Sequence, residues 1–216
     1  MTTIDPLAPF QWLNVSDGGP LGDIFSVAFF HGLDPAEVVY RFSREEHSGQ
    51  VSDFSGLDDK ARKFLDETRG EDGGGYVGVF QAGTWCVVIE PYGWMTTDHE
   101  VLTKLSRGCE VLAVTRHDYA EHSLDYAIDG TIVTGYRLEV PHERYGSDPD
   151  RLTDFTRELA MGPDEPPDQA AWDTACEDGS SNAVPRGFAL AAKVTGVSFA
   201  PDMLDRPMLV APFVER

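Results

Sequence analysis

"YVGVFQAGTWCVVIEPYGW", Tyr76 to Trp94, is the stretch that decides the architecture. Two runs rich in β-formers, Tyr76–Phe80 and Trp85–Glu90, flank Gln81-Ala82-Gly83-Thr84, and that spacing predicts a β-hairpin. In the second run Trp85, Val87 and Ile89 share one parity while Cys86 and Val88 share the other. A strand with no polar face is covered on both sides, which predicts a central position in its sheet. Pro91 ends the run because it donates no ladder hydrogen bond. Tyr92 and Trp94 follow in a Pro/Gly break, where aromatic side chains either lid the core or anchor a partner. Both are candidate binding residues.

Outward from this hairpin the signals alternate. Ile24–Phe30 reads as a buried strand; Asp34, Pro35 and Glu37 then open a helix whose Val38, Val39 and Phe42 face the core. A second helix is expected over Asp58–Arg69, stopping at Gly70. Thr97 and Glu100 form a capping box ahead of Val101, Leu102 and Leu105. "CEVLAVT", "LDYAI" and "TIVTGYRLEV" are strands, the last two joined by the hairpin signal Asp129-Gly130. A capped helix from Pro149 carries Leu152, Phe155 and Leu159 at helical spacing. Pro163, Pro166 and Pro167 then break the pattern, and short helices are expected near Asp168–Glu177 and Arg186–Val194.

The predicted fold is therefore α+β, a mostly antiparallel sheet of about five to six strands with inserted helices and a helical C-terminal third. Residues 1–160 would form the sheet domain, and residues 161–216 an acidic, Pro-rich hinge and helical segment packed on it. Direct hairpins argue against a doubly wound parallel sheet.

Charge restricts the partners. The 216-residue chain has 37 acids against 17 bases, a formal charge of −20. No Lys or Arg precedes Arg41, and Glu158 to Pro185 holds seven acids and no base. Phosphate-rich nucleic acid and anionic membranes attract Lys and Arg clusters, so neither is an expected partner. A basic protein is, because such a field raises association rates by ~10–10³. The late first base disfavours a secretory leader, and no apolar run approaches a membrane span, so the cytoplasm is the expected location. Cys86, Cys109 and Cys176 are odd in number and widely spaced, which excludes a stapled secreted scaffold. The oligomeric state is not encoded in these patterns.

Among chemistry-bearing motifs, Gly73–Gly78 matches G-x-G-x-x-G but precedes a strand instead of opening a helix, so no dinucleotide cofactor is expected. "RHDYAEHSLD" gathers His117, Asp118, Glu121, His122 and Asp125. Imidazole and carboxylate suit acid–base work or zinc, and His117, Glu121 and His122 are the catalytic candidates. Their spacing is not that of a helical zinc site, and a solvated polar loop joining two strands is the preferred explanation, so no metal is predicted. No G-x-S-x-G elbow is present.

"WLN", "FFHGLDPAEV", "VGVFQAGTWCVVIEPYGW", "LSRGCEVLAVTRH", "YGSDPDRL" and "ALAAKVTGV" occur in that order, and the set resembles a family of small actinomycete proteins of unknown function. The resemblance covers about residues 12–200 and implies a shared α+β domain, with no activity, cofactor or catalytic residue to carry over. The leading expectation is a binding protein without catalysis, immunity- or antitoxin-like, docking a basic protein through Tyr92, Trp94 and the acids Asp164, Glu165 and Asp168. The alternatives are an enzyme or a small-molecule or metal binder that uses the histidine loop and the aromatic lip, and a DNA mimic.

Overall fold

The computed structural model describes residues 5–14, 19–43, 50–69, 74–119, 121–162 and 166–213. In chain order the strands are β1 (Phe25–His31), β2 (Gln50–Ser52), β3 (Gly75–Ala82), β4 (Trp85–Pro91), β5 (Glu110–Arg116), β6 (Ser123–Ile128), β7 (Thr131–Arg137), β8 (Arg144–Tyr145) and β9 (Met208–Phe213). The α-helices are α1 (Pro35–Ser43), α2 (Phe54–Thr68), α3 (His99–Leu105), α4 (Thr153–Glu158) and α5 (Gln169–Thr195).

These strands form one nine-stranded sheet in the order β2-β9-β3-β4-β1-β5-β6-β7-β8. Every neighbouring pair is antiparallel. β1 is the axis, with Phe29 opposite Val87 of β4 and Leu112 of β5. The doubly apolar sequence of β4 is explained by two cores. On one face Val27, Phe29, Val87, Ile89, Leu112 and Val114 pack against Phe188, Leu190 and Phe199; on the other Ala28, Phe30, Val88 and Ala113 pack against α1 and α3 through Val38, Phe42 and Leu102.

The sheet corrects the expectation of five to six strands and a helical C-terminal third. The additional strands are the short β2 and β8 and the C-terminal β9. "MLVAPF" carries a proline, which disfavours a strand interior, yet β2 covers β9 only at Met208–Val210. Among the described residues nothing pairs with that side of β9 beyond Val210, and a residue without an N–H is tolerated where no ladder bond is drawn on it.

The two short helices expected after residue 168 are one continuous 27-residue helix, α5, running through Pro185. A proline in a helix leaves one carbonyl, four residues earlier, without its donor. Here that carbonyl belongs to Ser181, and the Asn14 side-chain amide donates to it. The helix then stops at Gly196, which takes a left-handed φ of 72°. Two other starts move because another residue caps: Asp53 accepts from Gly56 N–H at 3.0 Å and begins α2 about a turn before Asp58, and Asp98, one residue after Thr97, accepts from Glu100 and Val101 N–H to begin α3. Among the described residues no helix is long and apolar enough to cross a membrane.

Candidate functional site

The segment that leaves β4 is shaped by Glu90. Its side chain stays under the chain and is 2% exposed. Oε2 accepts from Ser26 Oγ at 2.7 Å and from Thr96 N–H at 3.2 Å, and Oε1 accepts from Met95 N–H at 3.2 Å. Thr96 Oγ1 donates in turn to Ser26 Oγ at 2.6 Å. A Cβ at residue 93 would lie 2.2 Å from Glu90 Oε1, so glycine is needed where the loop crosses the carboxylate. Burial pushes the Glu90 carboxyl above the usual carboxylate range, and the donors from Ser26, Met95 and Thr96 hold it back.

This fold-back sends the two lip aromatics in different directions. Tyr92, at a φ of 60°, turns inward: its hydroxyl donates to Asp58 Oδ1 at 2.6 Å and the Arg62 guanidinium lies 5.3 Å from its ring. Burial, reinforced by Asp58, pushes that hydroxyl up to about 12. Tyr92 is thus a brace between the lip and α2. Trp94 turns outward and is 47% exposed.

Trp94 meets the histidine loop. Its ring packs edge-on to His117 at 5.0 Å, and His117 stacks on Tyr119 at 5.3 Å, with Tyr119 80% exposed. His117 Nδ1 lies 3.0 Å from an Asp118 carboxylate oxygen. Glu121 is exposed beyond it. His122 points the other way and is largely buried; its Nδ1 accepts from His117 N–H at 3.2 Å, while its own N–H donates to Glu139 Oε1 at 2.7 Å. Burial, together with Arg116 and His117, pushes the His122 imidazole down to about 4, so it is neutral at ordinary pH and works as an acceptor.

The structure therefore brings together Trp94 and His117 but separates His122 from them in role. Asp168 accepts from Ala171 N–H at 2.9 Å as the cap of α5, and Asp164 and Glu165 lie outside the described residues. Among the described residues no group of three or more His, Cys, Asp or Glu side chains is placed to hold a metal ion. Cys86 is inert packing, its thiol pushed up to about 12 by burial.

Sequence reasoning missed one constellation. Asp125, 1% exposed on β6, accepts from Tyr145 Oη at 2.8 Å and faces His99 Nε2 at 3.2 Å with the same oxygen. The bond to Asp125 raises the His99 pKa against the opposing effect of burial. A carboxylate alternating with apolar Leu124 and Tyr126 in a strand is the signal of such a buried partner; nothing in sequence proximity points to His99 or Tyr145.

With this geometry in place, a family of unknown function, DUF6461, matches residues 5–215. The chain belongs to this family. No curated protein and no solved structure matches it. DUF6461 carries no assigned activity, so the site of this member rests on its own side chains: an outward aromatic ladder over Trp94, His117 and Tyr119, and inward braces at Tyr92, His122 and Glu90.

Proposed function

We propose that the protein is an acidic, non-catalytic binding domain of the cytoplasm that docks a basic protein, in the manner of an immunity or antitoxin partner. The observation that carries this reading is the convergence of two exposed aromatics, Trp94 and Tyr119, on His117, with Asp118 and Glu121 beside them. Trp and Tyr are the residue types that supply most interface energy, and they gain most where neighbouring carboxylates meet Lys or Arg on a partner. Exposed acids also sit on helices of both sheet faces, including Glu37, Asp59, Glu100, Asp173 and Glu177. They support a general anionic field that speeds encounter, with the ladder as the place of contact.

The test is a pull-down from the source cell with the wild-type chain and with the Trp94→Ala/Tyr119→Ala double variant. A basic protein retained by the wild type and lost by the variant, with circular dichroism unchanged, is the expected result. Retention that is equal in both, or that vanishes for both at modest salt, overturns the reading.

A further inference from the structure

Beyond β7 the chain runs beneath α5, and the approach is close because residue 179 has no side chain. A Cβ there would lie 2.5 Å from the Glu139 carbonyl oxygen. Next to this contact Glu139, Pro141, His142, Trp172, Asp178 and Arg186 line a pocket of about 190 Å³. Liquid water occupies about 30 Å³ per molecule, so the pocket has room for roughly six water-sized groups.

Two of these lining residues each carry a buried polar atom without a hydrogen-bond partner. Arg186, 5% exposed, lies in the apolar half of α5; one terminal nitrogen pairs with Asp178, whose other oxygen accepts from Asn182 at 2.8 Å, but its Nε–H has no acceptor. Glu139 binds His122 N–H through Oε1, and its Oε2 has no donor. An unpaired buried donor or acceptor is destabilising, and here one of each belongs to residues that line the same pocket. Both atoms are shielded from bulk water, so a ligand reaches them by small side-chain rotations and then makes bonds strengthened by the low local dielectric.

The charges select the ligand. Among the described lining residues one cation, Arg186, is set against two carboxylates, Asp178 and Glu139. The Trp172 indole, edge-on to His142 at 5.1 Å, adds a π surface that favours a cation. A simple carboxylate would worsen this balance, and an ammonium corrects it.

We propose that this pocket binds a small organic ammonium carrying one oxygen acceptor, such as an amino alcohol or an amino-acid amide. Its ammonium meets Glu139 Oε2 near Trp172, and its oxygen accepts from Arg186 Nε. The site is independent of the aromatic ladder and stands or falls without it.

The full chain is titrated by calorimetry and by thermal unfolding with glycinamide, ethanolamine and acetamide, the last lacking the ammonium. Glycinamide and ethanolamine should bind saturably with one site and raise Tm, while acetamide does neither. Glu139→Gln turns the free acceptor into a donor while keeping the shape, and should weaken glycinamide at least about tenfold; Trp172→Phe should weaken it less than Trp172→Ala. Saturable binding of acetamide equal to that of glycinamide overturns the charge assignment. No saturable response to either amine up to about 10 mM overturns the site. The comparison of probes on the wild-type chain decides the matter even if a variant fails to fold.

Discussion

Glu90 and Glu139 are both carboxylates withdrawn from water, and they differ in how completely the fold answers them. Glu90 has hydrogen-bond donors on both oxygens, from Ser26, Met95 and Thr96, and a glycine shaped around it. Glu139 has one donor, the His122 amide, on one oxygen. Burial raises the pKa of both. The contrast teaches how to separate architecture from a site when no activity is assigned. A saturated buried charge organises its own chain, whereas an unsaturated one leaves bonding capacity for something else. Asp125 stands between them, with Oδ1 shared by His99 and Tyr145 and Oδ2 unpartnered.

The largest effect that could break this contrast is at Glu90. Glu90→Gln turns an amide N–H₂ towards donors and should cost about 3 kcal/mol in urea unfolding, whereas Glu139→Gln should cost about 1 kcal/mol or less. Equal losses would erase the distinction. Next in size is the pH response of the buried His122 imidazole, whose Nδ1 accepts from His117 N–H. The fold keeps His122 unprotonated, so its contribution is complete above the ordinary imidazole value of 6.5 and is lost as pH falls towards about 4. The stability difference between wild type and His122→Gln, measured by unfolding at several pH values, should shrink by roughly 3 kcal/mol over that window. Raised carboxyls at Glu90 and Glu139 act in the opposite sense: their contribution is present below the ordinary carboxylate value and fades as pH rises through their folded values, so the variant difference is the clean readout. Tyr145→Phe should cost about 1–2 kcal/mol, because Asp125 then keeps His99 alone on its bonded oxygen. The smallest expected change is Asn14→Ala, about 1 kcal/mol, from leaving the Ser181 carbonyl without its donor on a partly hydrated surface.

Sequence patterning was most legible where neighbours in the chain are neighbours in space. The hairpin of β3 and β4 and the Asp129-Gly130 turn follow from local chemistry: Asp129 and Gly130 have φ of 47° and 77°, the left-handed pair such a tight turn needs. The inward turn of Tyr92 was not legible, because its partner Asp58 lies 34 residues away. The continuity of α5 through Pro185 was not legible for the same reason. The local signature of that proline is a helix break, and the bond that repairs the break comes from Asn14, 167 residues from Ser181. Pairing of His99 with Asp125 and of Glu139 with His122 likewise depends on strand order, which no periodicity reports. Trp94 and His117 were each visible as candidates; their contact became visible only once β1 was seen to lie between β4 and β5.

The place of β9 has a consequence for how the molecule comes into being. β2 and β3 do not touch through a ladder; each is joined to the sheet's edge region by residues 208–213, lying between them. On the ribosome, a nascent chain that has already released β3 must hold one flank of that strand unpaired until more than a hundred further residues have emerged. Val77 and Val79 would wait there beside open amides, a template for stray pairing, until the final strand arrives to seal the seam.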